Sequence, residues 1–375
     1  MQASLKIPNP FGVEITIHWT FWFVVLWAGA EGFRWSDRWQ GAIFAIFAIL
    51  LFFGCVLFHE LAHAWTAKLF GLEVSGVTLL PIGGVAKIRE ISNKGWQEFL
   101  IVLAGPAANL LLGGLLGLIF ILIWGPGLMV GFTQSTGTVL SGIMRAVFGG
   151  GNLIALIAFL ILSNMMLAIF NLIPAFPMDG GRLFRALLTG FLPFQTATWI
   201  AVRTGQVLAA VTIFFTLTPY FHVQSVSAVF VSVFVFVGAT YEERMVRLRS
   251  KLAAAQVIDA MSTVDIVRLT PGESVGTVME RVFKAPQFDL PVIVQGMLVG
   301  MLRRDDLLLA LRRGEAHRLV GEIMRTDYPS VGPSDNLHTV QEHMLASKFT
   351  TLPVLHDGIF VGLINIRDVN SSSAG

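Results

Sequence analysis

Two histidines and a glutamate lie inside a long apolar stretch of the chain, residues 41–66. The stretch exceeds the ~20 residues that a helix needs to cross a bilayer. It contains His59, Glu60 and His63 in an H-E-x-x-H arrangement. On a helix, positions i and i+4 share a face, so both imidazoles can point at one metal ion with Glu60 beside them. An ionisable side chain inside a bilayer costs at least ~2.5 kcal/mol, so three of them in five residues indicate a functional site rather than a chance match.

The composition divides the chain into two parts. Residues 1–240 hold 8 acidic and 11 basic side chains, whereas residues 241–375 hold 16 and 15. This difference predicts a membrane domain at 1–240, a linker at 241–256 and a soluble domain at 257–372. No cleavable signal peptide is expected before the first apolar run. Cys55 is the only cysteine, which excludes a disulfide within the chain, and the net charge of +2 gives no indication of a nucleic-acid partner.

Apolar runs predict about six membrane crossings. Their approximate limits are 15–31, 41–66, 97–124, 152–172, 196–218 and 223–240. Lys and Arg concentrate on one side of this arrangement, and the other side has only Arg34, Arg38 and Arg145. The positive-inside rule therefore predicts a multi-pass protein of the cell (inner) membrane, with both termini and the soluble tail in the cytoplasm.

A third metal ligand is expected from the segment after the fourth crossing. Asp179 is the only acidic residue between Glu98 and Glu242, and it follows a segment rich in proline and glycine. Such irregular backbone is tolerated at membrane depth only where protein or water covers it. Asp179 thus has the chemistry and the predicted depth to join His59 and His63. The alternative is that Asp179 only caps the helix that follows.

The two motifs together resemble those of the site-2 protease family of intramembrane metalloproteases. They read His59-Glu60-x-x-His63 and then Asn171-x-x-Pro174-x-x-Pro177-x-Asp179-Gly180, with Met178 where Leu is usual. The resemblance covers residues 1–240. It implies one Zn²⁺ per chain, held by His59, His63 and Asp179, with Glu60 as the catalytic base. It also implies regulated intramembrane proteolysis of a membrane-tethered regulator, such as an anti-sigma factor.

Other polar and small residues near this site are candidate substrate contacts. Gly83 and Gly84 interrupt an apolar stretch that predicts a re-entrant strand or hairpin, although a plain connecting loop also fits. Asn109 follows Gly105 in the third crossing, where small residues also favour close helix packing. Asn171 could hydrogen-bond the substrate backbone or cap a helix end.

The soluble tail contains an internal repeat. Residues 290–306 match residues 352–368 at a constant offset of 62, and each copy predicts strand, Gly turn, strand and helix. The pattern resembles a tandem pair of cystathionine-β-synthase (CBS) domains, at about 257–316 and 317–372. That resemblance implies an adenine nucleotide bound through Asp306 or Asp368. Arg303 and Asn365 replace the usual Thr or Ser, so a purely structural homodimerisation module is the alternative.

The predicted fold is a polytopic α-helical membrane domain of about six transmembrane helices followed by a soluble α/β tandem CBS pair. The predicted function is zinc-dependent cleavage of single-span membrane proteins within the lipid bilayer, with regulation by the CBS pair. The alternatives are a CBS-gated transporter or channel and a catalytically silent scaffold. A conduction path needs polar groups strung across the bilayer, whereas here they cluster at one depth.

Overall fold

The computed structural model of the chain forms two compact units, Met1–Glu243 and Arg244–Gly375, which are described separately. The residues described are 4–7, 12–81, 83–88, 95–125, 143, 147–148, 153–218, 226–264, 266–284, 287–347 and 349–374.

The first unit is built on long helices. Its elements are β1 (Ser4–Ile7), β2 (Ile15–His18), α1 (Phe21–Ser36), α2 (Trp39–Leu69), β3 (Val74–Leu80), β4 (Gly83–Ile88), α3 (Gly95–Trp124), α4 (Leu153–Leu172), α5 (Asp179–Leu188), α6 (Phe194–Leu217) and the first part of α7 (Val226–Ala254), whose residues from Arg244 onward belong to the second unit. Among the described residues, α2, α3, α4 and α6 are long and apolar enough to span a membrane. These helices match four of the six predicted crossings, so the predicted count of six is not confirmed.

The first and last predicted crossings differ from the helices found. Residues 15–18, predicted as the start of a spanning helix, form β2, and α1 has 16 residues from Phe21 to Ser36. At 1.5 Å per residue α1 is about 24 Å long, shorter than a typical hydrocarbon core. The predicted crossing at 223–240 falls on α7, which begins at Val226, with 223–225 outside the described residues. Residues 241–254 of the predicted linker are also part of α7.

A four-stranded sheet packs beside α2. Its order is β1-β2-β3-β4, with β2 and β3 parallel and the other pairs antiparallel. The predicted hairpin after the second crossing is therefore present as β3 and β4. In this sheet β4 lies at one end, so one of its edges is not paired with another of the described strands.

A buried ion cluster joins α3, α5 and α7. The side chain of Arg185 is 1% exposed and contacts carboxylate oxygens of both Glu98 and Glu242, the second at 3.0 Å. Its guanidinium also lies 5.3 Å from the ring centre of Phe176 and 4.8 Å from that of Phe194. Removing one partner of a buried pair leaves an uncompensated charge, so the cluster strongly favours one position of α5.

The second unit contains two equivalent halves. Its elements are α8 (Val257–Ala260), α9 (Val275–Lys284), β5 (Asp289–Val294), β6 (Met297–Arg303), α10 (Arg304–Arg312), α11 (Val320–Ile323), α12 (Leu337–Ser347), β7 (Thr351–His356), β8 (Ile359–Asn365) and α13 (Ile366–Ala374). The strands from β5 onward and the helices α9, α10, α12 and α13 repeat at the predicted offset of 62.

The halves share one sheet in the order β5-β6-β8-β7. Met297 of β6 pairs with its repeat equivalent, Ile359 of β8, which indicates a pseudo-twofold axis between these strands. A second link crosses the halves: Oδ2 of Asp289 accepts hydrogen bonds from the backbone N–H groups of Thr350 and Thr351, at 3.0 and 2.9 Å. Burial raises the pKa of the Asp289 carboxyl above its usual value.

Candidate metal centre

His59, His63 and Asp179 converge on one point inside the first unit. Oδ2 of Asp179 lies 3.0 Å from Nε2 of His59 and 3.1 Å from Nε2 of His63, and the two Nε2 atoms are 3.1 Å apart. Both histidines are buried, and their rings are nearly perpendicular, at 83°. The helical i, i+4 spacing on α2 thus places the two imidazoles together, and Asp179 completes the group from a segment 116 residues further on.

These atoms suit a zinc ion. Tetrahedral zinc with bonds of about 2.0–2.2 Å to nitrogen and oxygen separates its ligand atoms by roughly 3.3 Å, close to the distances observed. The carbonyl oxygen of Ile101 lies 2.7 Å from Nδ1 of His63 and must accept its proton, which leaves the Nε2 lone pair of a neutral ring directed at Asp179. Lone pairs and a carboxylate in such close approach require a cation or a proton between them.

The loop before Asp179 is held by close backbone contacts. A Cβ on Gly180 would lie 2.0 Å from the carbonyl oxygen of Ile173, so only glycine fits there. Gly205 of α6 and Gly238 of α7 pack against Ala175 and Pro177 in the same loop. These contacts bring the start of α5 to the histidines.

The structure also bears on the helix-cap alternative for Asp179. Met178 is the N-cap residue of α5, and Asp179 is the first residue of the helix. The carboxylate of Asp179 faces the two imidazoles at hydrogen-bond distance. Helix capping alone therefore does not account for its position.

Gly105 of α3 makes room for the two histidines, a role that sequence reasoning missed. A Cβ at this position would lie 2.2 Å from Nε2 of His63 and 2.7 Å from Nε2 of His59. Sequence reasoning assigned Gly105 to helix packing. The nearby Pro106 and the small residues around it gave no signal that would distinguish contact with a metal site from contact with another helix.

A cavity of about 450 Å³ opens onto the metal ligands. Besides His59, His63 and Asp179, its lining includes Glu60, Gly83, Gly84, Asn171 and Arg182. Glu60 is held against β4, since its Oε2 accepts a hydrogen bond from the backbone N–H of Ala86 at 3.0 Å. A Cβ on Gly84 would lie 2.4 Å from Cγ of Glu60, so this glycine leaves space for the glutamate.

Asn109 differs from the other predicted substrate contacts. Its side chain is fully buried and is not part of the cavity lining. The structure therefore does not bring Asn109 to the position predicted for it. Four residues after Gly105, Asn109 is turned by only about 40°, but it lies about 6 Å further along α3 from the residue that faces the histidines.

The two aspartates predicted to bind a nucleotide already have partners within the second unit. Asp306 makes two contacts with the guanidinium of Arg325, at 2.8 and 3.3 Å, and this hydrogen bonding raises the pKa of Arg325. Oδ2 of Asp368 accepts a hydrogen bond from the backbone N–H of Asn365 at 3.0 Å. A nucleotide using these carboxylates would have to compete with those bonds.

Each of the two units matches a known protein family. The model of peptidase family M50 matches residues 47–212, which include all three candidate ligands, and the CBS domain model matches residues 257–313 and 320–375. The chain is 33% identical over 303 residues to zinc metalloprotease MJ0392 of Methanocaldococcus jannaschii, a match that covers 80% of this chain and 78% of that protein.

Two further proteins are similar to this chain. Stage IV sporulation protein FB of Bacillus subtilis is 30% identical over 159 residues, covering 42% of this chain and 46% of that protein. The solved structure of the site-2 protease from Methanocaldococcus jannaschii is 30% identical, with a TM-score of 0.42, and covers 64% of this chain and 95% of that one.

The contact at Gly105 generates a test. Gly105→Ala places a Cβ where Nε2 of His63 lies, so the zinc affinity of the purified protein should fall by about tenfold or more. Gly114→Ala is the matched control, because it lies on the same helix and its Cβ would meet nothing within 4 Å. Chelator competition measures both affinities. Equal affinities in the two variants would contradict the assignment of this contact.

Proposed function

The chain belongs to peptidase family M50, and we propose that it cleaves single-span membrane proteins within the membrane in a zinc-dependent reaction. It is a multi-pass membrane metallopeptidase joined to a pair of CBS domains. One observation carries the proposal: two imidazole nitrogens and a carboxylate oxygen lie within 3.1 Å of one another in a cavity that Glu60 also lines. This clustering, together with the family, favours a peptidase over the transporter alternative.

His59, His63 and Asp179 would hold the zinc ion and leave a fourth position open. When bound, zinc polarises the scissile carbonyl group and lowers the pKa of a water molecule. The protein must then remove a proton from the attacking water and return it to the leaving group. Glu60 is the candidate for this proton transfer. Its carboxyl group lines the cavity beside the three ligands and is not itself one of them.

Glu60 would act as the general base. Its Oε2 is held by the N–H of Ala86, which fixes the orientation of the carboxylate on the cavity wall. The carboxylate takes the proton from the attacking water and then donates it to the amide nitrogen of the departing peptide. Asn171, which also lines the cavity, is positioned to hydrogen-bond the substrate backbone or the developing oxyanion.

An extended substrate would add to the free edge of β4. In an antiparallel ladder, alternate residues direct their N–H and C=O groups to opposite edges. The N–H of Ala86 donates to Glu60, so Ala86 faces the free edge, and Gly84, two residues earlier, faces it as well. A substrate strand that pairs with Gly84 would therefore pass beside Glu60.

This arrangement indicates the class of substrate. A peptide bond inside a regular helix is shielded by its own backbone hydrogen bonds, so the substrate must unwind locally before it can pair with β4. A single-span regulator such as an anti-sigma factor meets that requirement after an earlier cut. We further propose that the enzyme resides in the cell (inner) membrane with both termini and the CBS pair in the cytoplasm, as the distribution of Lys and Arg indicates.

The general-base role of Glu60 is tested by Glu60→Gln. The amide has nearly the same shape but cannot accept the proton, so cleavage should fall about 10²-fold or more while zinc content is retained. The assay is cleavage of co-expressed single-span candidates, with Glu14→Gln, an exposed glutamate, as the matched control. Undiminished cleavage by Glu60→Gln would exclude this mechanism.

Regulation by the CBS pair is a separate proposal. An adenine nucleotide would bind Asp306 and Asp368 in competition with their present hydrogen-bond partners, and its binding would change the cleavage rate. The alternative is that the pair serves only as a homodimer interface. ATP, ADP or AMP should bind the full chain, and Asp306→Ala combined with Asp368→Ala should abolish binding. Asp305→Ala, at an exposed neighbouring aspartate, should not. Calorimetry that detects no binding, together with an unchanged cleavage rate, would leave assembly as the role of the pair.

A further inference from the structure

Among the described residues of the first unit, six buried side-chain polar atoms have no hydrogen-bond partner, and four of the six belong to α2, α3 and α4. These four are Nδ1 of His59, Oδ1 and Nδ2 of Asn109, and Oδ1 of Asn164. His59 is 5% exposed, and both asparagines are fully buried. Buried polar atoms almost always have a partner in the protein or an ordered water, so each exception requires an explanation.

Asn109 lies on α3 between two glycines whose contacts with the neighbouring helices are known. Gly105 faces the imidazoles of His59 and His63, and Gly113, two turns later, faces Asn164 of α4, with its built Cβ 3.1 Å from that of Asn164. Asn109 lies midway along the helix between these glycines, turned by about 40° from each. It therefore points into the junction where α2, α3 and α4 meet.

Two residues of the other helices reach the same junction. Cys55 precedes His59 by one turn on the same face of α2. Nδ2 of Asn164 lies 3.2 Å from Sγ of Cys55 and 2.8 Å from the carbonyl oxygen of Leu160. The contact between Asn164 and Cys55 places polar groups of α2 and α4 one helical turn from His59, within otherwise apolar helices.

The two histidines differ in how their second ring nitrogen is held. Nδ1 of His63 donates to the carbonyl oxygen of Ile101, which fixes its tautomer, whereas Nδ1 of His59 has no such partner. A metal-binding histidine almost always donates its other N–H to a carboxylate, a carbonyl group or a water. His59 needs an acceptor, and Asn109 and Asn164 need partners.

We propose that the junction of α2, α3 and α4 is a buried water site that accepts the Nδ1 proton of His59. The water donates to Oδ1 of Asn109 or Asn164, and it keeps the Nε2 lone pair of His59 directed at the metal. Asn109 is then a positioning residue that acts through His59 rather than a substrate contact. The inference rests on the proposed function only in taking His59 as a metal ligand.

The test measures metal affinity and not cleavage. Asn109→Leu replaces the amide with an apolar group of similar size, which removes the anchor of the water. Chelator competition on the detergent-purified full chain should show zinc binding weakened by about 10–100-fold. Asn109→Ser keeps a hydroxyl group and leaves space for a second water, so its affinity should return to within a few-fold of wild type.

A matched control separates positioning from packing. Thr198→Val changes a buried polar residue of α6 whose hydroxyl donates to the carbonyl oxygen of Phe194, and it should leave zinc affinity unchanged. The absorption spectrum of the cobalt-substituted protein should shift in Asn109→Leu but not in Thr198→Val. Thermal unfolding of the metal-free protein shows whether Asn109→Leu folds. If it does not, Asn164→Leu replaces it, because this variant removes the other amide to which the water would donate.

The outcomes distinguish this inference from the proposed function. Wild-type zinc affinity and an unchanged cobalt spectrum in folded Asn109→Leu and Asn164→Leu would overturn the water site and leave the peptidase proposal intact. A wild-type protein that binds no zinc would overturn both. Weakened zinc binding restored by Asn109→Ser supports the water site even if the cleavage substrate proves to be different.

Discussion

The approach of three metal-binding atoms within a helical interior is the constraint on which the rest of the first unit depends. Nε2 of His59, Nε2 of His63 and Oδ2 of Asp179 lie 3.0–3.1 Å apart, a distance that is stable only with a positive charge between them. The helix α2 supplies two of these atoms through its spacing alone. The third must come from a distant segment, and a helix facing the histidines must leave space for the site. Gly105 provides that space on α3.

The position of Asp179 depends on contacts from several directions. Glycines of α6 and α7 allow the preceding loop to pack closely, and Gly180 lets α5 begin directly against it. At the other end of α5, Arg185 is fixed by carboxylates of α3 and α7. A buried charge network of this kind tolerates few alternative arrangements, so it restricts α5 and the ligand at its start to one position. The stability of the unit and the geometry of the site thus share the same contacts.

Much of the fold and of the candidate site could be predicted from local patterns in the sequence. The spacing of His59 and His63, the isolation of Asp179 in an apolar region and the 62-residue repeat are all visible in the sequence, and the structure places these residues accordingly. The predictions that were wrong concern features that depend on contacts between distant segments of the chain. Residues 15–18 lead directly into the apolar run of α1, yet they pair with β1 and β3 instead of extending that helix. Similarly, the burial of Asn109 and the contact of Gly105 with the histidines depend on how α2, α3 and α4 pack, which no single segment encodes.

The central claim is that His59, His63 and Asp179 together hold one zinc ion. The most direct test is elemental analysis of the purified full chain beside Asp179→Asn, with Asp37→Asn, an exposed aspartate, as the control. The arrangement of the three ligands predicts about one zinc per chain in the wild type and in Asp37→Asn. It predicts a large loss of zinc in Asp179→Asn, because the amide carries no negative charge. Equal zinc content in all three proteins would contradict the claim.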